Sequence, residues 1–140
     1  MKKHLLSIII PSLFLLSCKN QSIPDSFIGP WYLLTQMENK YVVFYPCDMS
    51  PGFLEITDKE VKVGGSHDID VFTIQETSYN NSILTITTSP PEYLVNSPES
   101  IDFIFTLKPE GIEHKNSLYG KEGKYPSYEQ PCKECWEDCD

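Results

Sequence analysis

Sulfur carries the densest chemistry in this chain. Cys132, Cys135 and Cys139 cluster near the C terminus, and Cys47 stands far upstream. Three thiolates together with Cys47 or His114 would make a soft donor set suited to zinc or copper. Cys132-x-x-Cys135 could instead exchange disulfides, but that needs an easily formed thiolate. Glu134, Glu137, Asp138 and Asp140 surround the motif and oppose one, and no βαβ pattern precedes it. The third use is structural, sulfur paired with sulfur, and it depends on the compartment. Other chemistry is thin. His4 lies in the apolar N-terminal segment, and His67 lies in the turn Gly64-Gly65-Ser66-His67-Asp68. His114 falls on the last expected strand. Ser66, His67 and Asp68 are neighbours in one turn and do not aim at a common point as a hydrolytic triad must. Gly64-Gly65 lacks the following helix of a phosphate-binding loop. With 20 acidic residues in 140, any carboxylate pair could be nominated as acid and base, so abundance singles out none. No enzymatic activity, cofactor or metal is expected.

The N-terminal segment decides the compartment. Lys2 and Lys3 precede an apolar run from Leu5 to Leu16, which ends in Leu15-Leu16-Ser17-Cys18. Ser7, Pro11 and Ser12 interrupt the run, which falls short of the roughly 20 apolar residues that span a bilayer. It resembles a bacterial lipoprotein signal with its lipobox. The resemblance implies that residues 1–17 are removed and that Cys18 is acylated, a palmitate-type modification that anchors the protein in the cell envelope. With Lys19 rather than Asp following, it implies the outer membrane over the inner. Each buried methylene contributes about 0.8 kcal/mol, so two or three acyl chains hold a protein stably on a membrane. Residues 18–26, polar and containing Pro24, read as a lipidated tether.

Outside the cytosol the remaining four cysteines, an even number, are expected to form two disulfides. One joins Cys47 to a tail cysteine and the other two pair locally, with the partner of Cys47 left open by the sequence. Closing a loop of more than eighty residues would stabilise by about 4 to 5 kcal/mol. It would also pin residues 120–140, an acidic tail with Tyr125, Tyr128 and Trp136 as its main apolar content.

Charge narrows the partners. The chain has 11 basic residues, all Lys, and a formal net charge of −9; loss of Lys2 and Lys3 with the signal takes it to −11. Without Arg there is no bidentate fork for phosphates, and a negative surface repels polyanions, so nucleic acid is excluded as a partner. The same charge confers solubility or steers the molecule toward cationic proteins.

The elements that position these groups are strands. Residues 27–119 are rich in Val, Ile, Phe, Tyr and Thr and are broken every few residues by Gly, Pro, Asn or Asp. Runs at Trp31 to Gln36, Tyr41 to Tyr45, Phe53 to Thr57, Glu60 to Val63, Asp68 to Glu76, Ser82 to Thr88, Ile101 to Leu107 and Ile112 to Tyr119 predict about eight short strands. Asn80-Asn81 marks a tight turn, and no stretch carries a capped helical period. The fold class is all-β, a small antiparallel up-and-down barrel with a cysteine-bearing tail.

Gly29-Pro30-Trp31, after Phe27-Ile28 and before Tyr32-Leu33-Leu34, resembles the Gly-x-Trp signature that opens the first strand of lipocalins and of smaller lipocalin-like bacterial domains. The resemblance implies that Gly29 permits a close approach and that Trp31 plugs one end of a lipocalin-like barrel spanning residues 27–119. The basic side chain that covers this tryptophan in the family is usually Arg, which the chain lacks. Such barrels commonly hold a small hydrophobic molecule or lipid, for which Phe44, Phe53, Phe72, Phe103 and Phe105 are candidate lining residues, although the same rings could simply fill the core. Tyr93, in Pro90-Pro91-Glu92-Tyr93-Leu94, is a candidate for the binding rim. The alternative function is an acidic protein-binding module, an inhibitor or immunity-type partner of a cationic envelope hydrolase or toxin. The chain is expected to act as a monomer.

Overall fold

Strict in-and-out alternation of apolar residues bends most of the chain around one interior. The computed structural model describes residues 20–47, 49–65, 68–94 and 98–130. Among them are ten strands and no helix: β1 Gly29–Met37, β2 Lys40–Tyr45, β3 Phe53–Ile56, β4 Glu60–Gly64, β5 Ile69–Asn80, β6 Ile83–Ser89, β7 Ile101–Leu107, β8 Ile112–His114, β9 Ser117–Lys121 and β10 Ser127–Glu129. β1 and β3 to β9 form a closed antiparallel barrel of eight strands. Closure comes from β1 pairing with β9 through Trp31↔Lys121, Tyr32↔Gly120 and Leu33↔Tyr119, which leaves the barrel no open sheet edge along these residues. The interior holds Phe27, Trp31, Leu54, Ile56, Val61, Phe72, Leu84, Ile86, Phe103, Phe105 and Ile112.

β1 serves two sheets. Its first half lies between β3 and β9, whereas from Leu34 onward it pairs with β2, outside the barrel. β10 adds to β2 in parallel, with Ser127↔Val43 and Glu129↔Tyr45. Part of the acidic tail is therefore sheet rather than loose chain. Tyr125 packs over Gly120, where a β-carbon would collide with its ring, and Tyr128 stacks on Phe44 with centroids 5.9 Å apart.

Local turn chemistry explains two departures from the sequence expectation. The β5–β6 turn is built on Asn81 and Ser82, both in the left-handed region at φ 48° and 66°, so Asn80 remains in the strand opposite Ile83. The run from Ile112 to Tyr119, expected as one strand, folds back at Lys115-Asn116, φ 49° and 64°, into the β8–β9 hairpin.

The expected tether is mostly docked. β5 outruns β4, whose pairing with it stops at Thr73, and the free edge is taken by the N-terminal segment. Gln21 N–H donates to the Thr77 carbonyl, the Thr77 hydroxyl donates to the Gln21 carbonyl, and Tyr79 N–H donates to Gln21 Oε1 at 2.7 Å. Ile23 packs on the core and Phe27 is fully buried, edge-on to Tyr79. Composition alone reads residues 18–26 as a spacer. The backbone groups left unpaired on β5 bind the segment from Asn20 onward to the barrel.

Candidate open-mouthed binding site

The two ends of the barrel differ. At one end, Trp31 is 2% exposed and its indole Nε1 donates to the Phe27 carbonyl at 2.8 Å. Lys121 Nζ lies 4.3 Å from the centroid of the Trp31 ring and also donates to the Ile28 carbonyl. Gly29 makes this approach possible: at φ 110°, a β-carbon there would sit 3.3 Å from Lys121 Nζ. Burial holds the Lys121 pKa below the usual lysine value. Phe27, Trp31 and Lys121 together seal this end. The signal for Lys121 was the alternation of β9, which turns Lys121 to the same side as Tyr119.

The opposite end is open. A pocket of roughly 350 Å³ enters the barrel there, walled by Leu54, Val63, Phe72, Ile101 and Phe103, with Asp70, His114, Lys115, Ser117 and Tyr119 as its polar groups. Phe72 and Phe103 meet edge to face at 5.0 Å. His114 packs against Phe103 and Phe105, 5.4 and 5.0 Å between centroids. Its Nδ1 lies 3.0 Å from the Ile104 carbonyl, a bond that the imidazole makes as donor, which leaves Nε2 as acceptor in the neutral ring. Burial lowers the His114 pKa, with Lys115 adding to the effect, so the ring is neutral at pH 7. Burial likewise raises the Tyr119 pKa and keeps its hydroxyl protonated.

Residues 90–94, which follow β6, reach the rim of this mouth. Leu94 packs on the core, and the hydroxyl of Tyr93, itself 61% exposed, donates to Asp70 Oδ1. Asp70 reaches the pocket because β5 turns Phe72 and Ile74 inward, and Asp70 shares their side.

The sequence-selected aromatics separate accordingly. Phe72 and Phe103 line the pocket and Tyr93 stands at its rim. Phe105 is fully buried beneath it and belongs to the core. Phe53 and Phe44 are corrected as lining residues. Leu54 and Ile56 take the inward positions of β3, so Phe53 points outward and covers Gly64, while Phe44 rides on β2 outside the barrel. Asp70, Ser117 and Tyr119 were not selected from the sequence, and His114 was weighed there only as a metal ligand, since polar residues in half-buried strands look solvent-facing until the register is known. Cys47 follows β2 in the connection to β3, whereas Cys18, Cys132, Cys135 and Cys139 lie outside the described residues. No protein-family model, curated protein sequence or solved structure matches this chain.

Proposed function

We propose that this chain is a membrane-anchored, non-enzymatic envelope lipoprotein of lipocalin-like type, whose barrel holds a small hydrophobic molecule at its open mouth. The pocket walled by Leu54, Val63, Phe72, Ile101 and Phe103 carries the reading. Its size sits at the low end of small-molecule sites. The seal of Trp31 by Lys121, with Gly29 in the left-handed region, supports the lipocalin-like assignment, because lysine stands where the family usually has arginine. The alternative, a protein-binding module acting through its acidic surface, needs a filled interior, and the pocket weighs against it.

The test is a fluorescence titration of the purified protein with N-phenyl-1-naphthylamine, uncharged at neutral pH. Saturable enhancement that is lost in Ser117→Trp, where an indole would occupy the pocket, is the expected result. Equal enhancement in both proteins would refute the pocket as the site. For the anchor, Cys18→Ser should move the protein from the membrane fraction to the soluble one, and persistence in the membrane would overturn acylation.

A further inference from the structure

The inward face of β5 is chemically inverted. Ile69 and Val71, 53% and 38% exposed, point outward, while Asp70 points toward the pocket. A strand needing only a core would reverse these residues, since a carboxylate on an apolar wall loses hydration that Ile or Val would not need. Register alone does not force the arrangement. Phe72 and Ile74 fix which side faces in, and any apolar residue at position 70 would continue their stripe.

Resting on the pocket reading, we propose that the site selects a protonated amine: its ammonium takes the place of the Tyr93 hydroxyl on Asp70, and its apolar body lies against Leu54, Phe72 and Phe103. The surroundings favour a cation over an anion. Asp68 adds negative charge close to Tyr93, and the rings of Phe72, Phe103 and Tyr93 offer faces that attract cations. The whole chain is net negative, which concentrates cations near its surface. On the other side, Lys115 lies at the β8–β9 turn and His114 is neutral at pH 7, so Lys115 is the one positive group lining the pocket. The Tyr93–Asp70 contact keeps the carboxylate satisfied until a stronger donor arrives.

The test compares three probes with the same apolar body, octylamine, octanol and octanoate, in NMR-detected titrations of the unacylated full chain carrying Cys18→Ser at pH 7 and low salt. Octylamine is expected to bind on the order of tenfold tighter than the other two, as one charge-assisted hydrogen bond provides. Shifts should be centred on Phe72, Phe103 and Tyr119. Asp70→Asn should abolish the preference for octylamine over octanol, and Tyr93→Phe should raise the octylamine-to-octanol affinity ratio a few-fold. Equal affinity for all three probes, or tightest binding of octanoate, would overturn amine selection and leave the pocket reading standing. No shift at those three residues with any probe would overturn both.

Discussion

Replacing Lys121 with methionine tests whether the sealed end of the barrel is held by charge or by bulk. The side chain keeps its length and apolar stem but loses the ammonium 4.3 Å from the Trp31 ring centroid and the hydrogen bond to the Ile28 carbonyl. A partly desolvated cation on an indole face contributes about 1 to 2 kcal/mol. Leaving the Ile28 carbonyl without its donor costs about 1 kcal/mol or slightly more. Against these, the substitution removes the penalty of dehydrating an ammonium, the burial that already lowers the Lys121 pKa. The net expectation is a loss of about 2 kcal/mol, which for a domain of this size lowers Tm by roughly 8 to 12 °C. Urea denaturation followed by circular dichroism gives the free energy. Lys121→Arg is the control, because a guanidinium can stack on the indole while still donating to Ile28; it should stay within about 1 kcal/mol of the parent. If the methionine variant unfolds within 0.5 kcal/mol of the parent, or arginine is as damaging as methionine, the charge contributes nothing and the seal is packing alone.

Three further outcomes follow from other parts of the molecule. Burial lowers the His114 pKa, so below about pH 6.5 the unfolded chain takes up a proton before the folded one does. Stability should therefore fall on acidification from pH 6.5 toward the lower folded pKa, and His114→Gln should flatten that part of the urea-midpoint profile; an unchanged slope would contradict the burial. Phe27→Ala removes a fully buried ring from the barrel end and should cost about 3 to 5 kcal/mol by denaturant titration, while a cost below 1 kcal/mol would mean the N-terminal segment is dispensable. In the parallel β2–β10 pair, Gln130 N–H donates to the Tyr45 carbonyl, which brings the strand leading to Cys132 beside the strand leading to Cys47. Peptide mapping without reduction should find Cys47 joined to Cys132, with Cys135 and Cys139 paired to each other, and recovery of Cys47 joined to Cys139 would refute the register argument.

Alternation made the barrel legible. Leu54/Ile56, Val61/Val63, Leu84/Ile86 and Phe103/Phe105 each announce a strand with one buried face, and Gly29-x-Trp31 marks where the first one starts. Partner choice is not written in that pattern. Val42 and Val43 are adjacent and both buried, yet nothing in Tyr41 to Tyr45 says that β2 lies outside the barrel or that residues 127–129 return to it in parallel. The docked N-terminal segment was hidden for a related reason: its hold on β5 is mostly backbone, and backbone groups look alike at every residue. The site divided along the same line. Phe72 and Phe103 stand out by type, whereas Asp70 becomes meaningful only once β5's facing is fixed by residues two and four positions away.

The pairing of Asn20 with Thr77 sets the reach of anything attached further upstream. Only Lys19 separates Cys18 from Asn20, two residue steps that span at most about 7 Å even when fully stretched. From Thr77 to the start of β5 at Ile69 is about 26 Å at roughly 3.3 Å per residue. With acyl chains on Cys18, the mouth could stand no more than about 33 Å from the lipid, about one protein diameter.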